Sequence, residues 1–94
     1  MVTRHPSVVV AGDDDSLADV LHRLREAGRG GQPIDLIVPR DSSLLLTAAE
    51  FRLLREMLDR DRLSANLCTD DPLRAQLAAL LGVPCHGLPE GWQA

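Results

Sequence analysis

Ile34-Asp35-Leu36-Ile37-Val38-Pro39-Arg40 is followed at once by Asp41-Ser42-Ser43. The run is short, apolar and partly β-branched, and a proline ends it. Such a run reads as a strand buried on both faces, as in the middle of a parallel sheet. Helical patterns stand on both sides of it, and that alternation sets the expected fold class.

Upstream, Val8-Val9-Val10-Ala11 is a first strand, ended by Gly12 and Asp13-Asp14-Asp15. Leu17, Val20, Leu21, Leu24 and Ala27 then recur at helical spacing, with Ser16 or Asp15 as cap and Gly28 as stop. Arg29-Gly30-Gly31-Gln32-Pro33 turns the chain into the central strand.

Downstream, Thr47-Ala48-Ala49-Glu50 matches a capping box. Phe51, Leu54 and Leu58 form the apolar line of the helix it opens, with Leu53 and Met57 beside them. Leu44 to Leu46 are a loose first turn, or the helix begins near Ser43. Leu63 to Thr69 is a third strand with Ala65, Leu67 and Thr69 on one face. Its polar alternation places it nearer an edge. Asp71-Pro72 opens a third helix, with Leu73, Leu77, Leu80 and Leu81 facing inward and Gly82 ending it. Val83 to His86 is a fourth, very short strand.

The order β-α-β-α-β-α-(β) predicts a small Rossmann-like or flavodoxin-like α/β layer with a three- to four-stranded parallel sheet. The 94 residues make one domain, 1–94, with its core over 8–86 and a loose tail over 87–94.

Composition narrows the functions. Net charge is −4 and aromatic residues make up 2% of the chain, so nucleic acid is not expected as a partner. The basic residues other than His are all Arg, which excludes a Schiff-base or phosphate-loop lysine. No apolar run is long enough to span a bilayer, no signal peptide is evident, and Cys68 and Cys85 form no framework. No membrane partner and a cytoplasmic location are expected.

Ligands of an open parallel sheet bind beyond the carboxyl ends of its strands. Asp13, Asp14, Asp15, Arg40, Asp41, Ser42, Ser43, Thr69 and Asp70 fall there and form the candidate ligand edge. Asp13, Asp14, Asp41 and Asp70 could hold Mg²⁺, because that ion takes oxygen ligands in octahedral array. This is the alternative function: a divalent-metal-dependent phosphoryl-transfer or hydrolytic domain. Every cluster also sits where a helix needs a cap, and caps are the preferred reading. No catalytic residue, metal or cofactor is assigned on that reading.

Other signals are weaker. Paired acids after a first strand are similar to a phosphorelay receiver, but Pro39 stands where its phosphoacceptor Asp would be. Gly12 followed by acids would repel a pyrophosphate. Nothing in the sequence brings Cys68 as a nucleophile together with His86 as its base, and Cys85-His86 as a metal pair lacks partners at any usual spacing. Arg40, Arg52, Arg55, Arg60 and Arg62 are largely neutralised by Glu56, Asp59 and Asp61.

Asp-Asp-Asp-x-x-x-x-Val-Leu-x-Arg-Leu (Asp13 to Leu24), Leu-Ile-Val-Pro-Arg (Leu36 to Arg40) and Phe-Arg-Leu-Leu-Arg (Phe51 to Arg55) follow in this order. Thr-Asp-Asp-Pro and Leu-Ala-x-x-x-Gly-Val-Pro come next, within Thr69 to Pro84. Together these resemble a Rossmann-like module at the N-terminus of large bacterial proteins, some labelled baseplate-J-like. The resemblance implies a non-catalytic helper with a scaffolding or regulatory role and no residue-level chemistry. The function expected here is accordingly an interaction module that meets a protein partner or forms a homodimer. Leu44 to Leu46 or an uncovered sheet edge would be the contact.

Overall fold

The computed structural model describes residues 7–12 and 14–88. Asp13, His5 and Trp92 lie outside them. The elements are β1 (Ser7–Val10), α1 (Leu17–Ala27), β2 (Ile34–Ile37), α2 (Ala48–Arg60), β3 (Ala65–Cys68), α3 (Pro72–Leu80) and β4 (Cys85–His86). Four parallel strands and three helices make an α/β layer compatible with the expected small Rossmann-like kind.

The strands stand in the order β1-β2-β3-β4. Every crossover moves one place in the same direction. Right-handed connections then put all three helices on one face of the sheet. The packing agrees: Val9, Ile34, Leu36, Val38, Ala65 and Leu67 share one core with Val20, Leu24, Phe51, Leu54, Met57 and Ala78. The alternate residues Val8, Val10, Asp35, Ile37, Asn66 and Cys68 belong to the other face, which no described helix covers. The order never reverses, so the described sheet has no switch point between helices of opposite faces.

Contrary to the edge position expected from its polar alternation, β3 is interior, between β2 and β4. Asn66 is tolerated there because its side-chain amide reaches the carboxylate of its register partner Asp35 at 3.4 Å. Pro39, which has no N–H to donate, follows the last strand-like bond, from Val38 N–H to the Cys68 carbonyl.

The inward face of α3 also differs from expectation. Leu73 and Leu80 are exposed, Leu80 at 78%, whereas Arg74 and Ala78 are buried and Leu77 and Leu81 partly so. Ala78 brings the helix close to the sheet, and Arg74 finds enough acceptors below it to be buried. Leu53 likewise points outward from α2.

Two helices end in the same way. After α3, Gly82 takes φ +73° and Val83 N–H reaches the Ala78 carbonyl at 2.8 Å. After α2, Arg62 takes φ +54° and Leu63 N–H reaches the Leu58 carbonyl at 2.9 Å. This is the Schellman arrangement, with glycine at one left-handed position and arginine at the other. Gly28 ends α1 with φ −88°, so its backbone is ordinary. It is needed for space instead, since a Cβ there would stand 2.4 Å from Leu63 Cδ2 and 3.2 Å from Ile34 Cδ1.

A left-handed non-glycine residue costs roughly 1–2 kcal/mol. Arg62→Gly is therefore expected to stabilise the fold by about 1 kcal/mol, read as a higher urea midpoint with unchanged slope. Lower stability would show that the arginine side chain contributes more than its backbone costs.

Candidate functional site

The β2–α2 loop, residues 38–47, crosses the carboxyl edge of the sheet between two helix starts. Its carbonyls have no strand to pair with, yet Ser42, Leu44 and Leu45 are buried. Buried carbonyls need donors, and Arg74 supplies them. Its Nε donates to the Leu44 carbonyl at 2.9 Å. Nη1 donates to the carbonyls of Pro39 (3.4 Å) and Arg40 (3.3 Å), and Nη2 donates to that of Ser42. The guanidinium is wholly buried, and its charge is met by Asp71 at 3.0 Å.

Asp71 does two things at once. One oxygen accepts the Leu73 N–H at 3.1 Å and caps α3, while the other pairs with Arg74. Pro72 at the first helical position fixes the entry of α3 and so the direction of the arginine three residues past the cap.

The loop's donors are taken by α2. Thr47 accepts the Glu50 N–H at 3.2 Å as the capping pattern predicts. The Glu50 carboxylate reaches beyond the Thr47 backbone to the N–H groups of Leu45 and Leu46, at 3.1 Å each. Leu45 is held with φ +58° in this grip. Leu44 and Leu45 are thus core residues and not a docking surface; of the three leucines only Leu46 is exposed.

The remaining edge residues are arranged as follows. Ser42 Oγ accepts the Leu44 N–H, and Thr69 Oγ1 accepts the Asp71 N–H. Arg40 donates to the Asp70 carbonyl at 3.0 Å. Asp15 accepts the Gly12 N–H at 2.6 Å and pairs with Arg23, while Ser16 and Asp19 form a reciprocal capping box on α1. Asp14, Asp41, Ser43 and Asp70 are exposed. Among the described residues no three His, Cys, Asp or Glu side chains are grouped to hold a metal ion.

Cys68 and His86 are register partners on β3 and β4, a neighbourhood invisible in the sequence. Burial first, then the charges of Asp35 and Cys85, push the Cys68 thiol up, and burial pushes up that of Cys85. Raised thiols are protonated and weakly nucleophilic at neutral pH. A cleft of about 300 Å³ lies at the opposite edge, lined by Arg25, Glu26, Gly28, Arg29, Asp61 and Leu63. Its charges are matched within the chain as Arg25–Asp61 and Arg29–Glu26.

Arg74, the long reach of Glu50 and the Arg23–Asp15 pair are the site features that sequence reading missed. An arginine two residues after a helix-opening proline was the only available signal for the first. No protein-family profile, curated protein or solved structure matches the chain.

Arg74→Met removes a donor from four loop carbonyls, two of them in buried bonds, and leaves Asp71 without its buried partner; it is expected to cost roughly 3–5 kcal/mol, as for broken buried ion pairs. Arg74→Lys restores the charge but not the planar fork and recovers only part of it. Urea unfolding of both variants checks this, and a loss under 1 kcal/mol in Arg74→Met would refute the role. At Asp15 the Gly12 N–H, then Arg23, hold the carboxyl below its ordinary 3.8. Its stabilising effect is present above that value and disappears as pH falls through the lower folded one. The difference in melting temperature between the native chain and Asp15→Asn is therefore expected at neutral pH and to vanish in strong acid.

Proposed function

We propose that this chain is a non-catalytic interaction module, scaffolding or regulatory, that works by contact with a protein partner or a second copy. One observation carries the reading: the polar side chains of the carboxyl edge that make bonds make them to the chain's own backbone and caps. Asp15, Arg40, Ser42, Thr69, Asp71 and Arg74 are all engaged in this way. Such an edge is a rigid structural support. Exposed Val8, Leu46, Leu53, Leu73 and Leu80 offer apolar contact. No described helix is long and apolar enough to cross a membrane. Two free cysteines suit a reducing cytoplasm. The helper role agrees with the one implied by the resemblance to modules of large bacterial proteins.

A thermal-melt titration with Mg²⁺, Mn²⁺, inorganic phosphate and nucleotides separates this from a metal-dependent phosphoryl-transfer domain. No shift is expected with any of them. A rise of several degrees that disappears in Asp14→Asn and Asp41→Asn would overturn the proposal.

A further inference from the structure

β1 is the outermost described strand on its side of the sheet. Ser7 and Ala11 donate their N–H groups to the carbonyls of Pro33 and Ile37, both at 2.9 Å. Alternation along the strand then turns the N–H and C=O groups of Val8 and Val10 to the outer side. Val8 is 58% exposed. The outer carbonyl of Val10 is covered, because Arg23 Nη1 donates to it at 3.1 Å. The same guanidinium is paired with Asp15, whose carboxylate also holds the Gly12 N–H. A charged side chain laid across an edge is one way proteins discourage strand pairing.

We infer that the outer edge of β1 is a self-pairing edge held closed by Arg23, and that its occupant once Arg23 is withdrawn is a second copy of this chain. The inference rests on the interaction-module reading and supplies its partner. Val8 and Val10 are one residue apart and both turn their backbone groups outward. A two-fold axis at Val9 sets Val8 against Val10 of the second copy, and Val10 against its Val8. Both pairs exchange N–H···O bonds in an antiparallel ladder. The facing side chains are then all valine on one face, a favourable cross-strand set. The backbone match is general, and the all-valine pairing is what favours a copy of the chain over an unrelated strand. β4, at the other edge, has two residues and offers no comparable ladder.

Sedimentation velocity over a range of concentrations tests this on the native chain, on Arg23→Ala and on Arg23→Ala/Val8→Pro. Arg23→Ala is expected to form a species of twice the 10.2 kDa chain mass, with at least a tenfold gain in dimer affinity over the native chain. Val8→Pro removes an N–H that makes no bond to β2, so it blocks edge pairing alone and is expected to restore the monomer. An Arg23→Ala chain that associates no more than the native one overturns the inference. So does a dimer that survives Val8→Pro, since it would use another surface. Should Arg23→Ala fail to fold, Arg23→Met keeps the aliphatic stem but removes every donor to the Val10 carbonyl, and a chain that associates no more than the native one there is equally decisive. Failure of this test with no metal or phosphate shift in the melts removes the edge and leaves the interaction reading standing. A shift abolished in the Asp14 and Asp41 variants removes the interaction reading instead.

Discussion

The buried guanidinium of Arg74 is the constraint on which the carboxyl edge depends. A loop that leaves a central strand and runs into the core carries carbonyls that water cannot reach, here those of Ser42 and Leu44. Folding it without donors would cost the desolvation of each one. The planar fork meets carbonyls of Pro39, Arg40, Ser42 and Leu44 together, and Asp71 holds its charge. With the acceptors satisfied from α3 and two donors satisfied by Glu50 from α2, Leu44 and Leu45 can enter the core. Both helix starts are thereby tied to the same loop.

That arrangement also gives much of the polar edge a structural task. Serine, threonine and aspartate are the usual helix caps because their oxygens accept free backbone N–H groups. Ser16, Thr47 and Asp71 do so here, and Ser42, Thr69 and Asp15 close the adjoining turns. The one-directional strand order removes the crevice that a reversal would open above them. Exposed besides are an edge strand, scattered leucines, and Asp14, Asp41, Ser43 and Asp70 of the polar edge itself.

The elements themselves were legible in the sequence. The apolar spacing of Val20, Leu24, Phe51, Leu54 and Leu58, the caps at Ser16, Thr47 and Asp71, and the strand at Ile34 to Ile37 are local properties, and each stands where its pattern put it. α3 was the exception in detail. Its leucines outnumber its buried positions, and periodicity alone cannot choose between the Leu73/Leu80 side and the Arg74/Ala78 side. Arginine is rarely buried, so a pattern reading puts it in water. The candidate edge was legible as a place, because cap-forming residues cluster at strand ends, while the bonds that occupy it were not.

By itself, then, the sequence determined an alternating α/β chain with parallel strands, because helix and strand periods and cap chemistry act within a few residues. Strand order, the interior position of β3, the burial of Arg74 and the covering of Val10 by Arg23 were decided only by the tertiary structure. Each depends on groups far apart in the chain, Arg74 being 32 positions from Ser42 and Arg23 being 13 positions from Val10. A hydrogen-bond donor carries no mark in the sequence of the distant acceptor it will meet. Only the packed sheet and its one-sided helices bring them within reach.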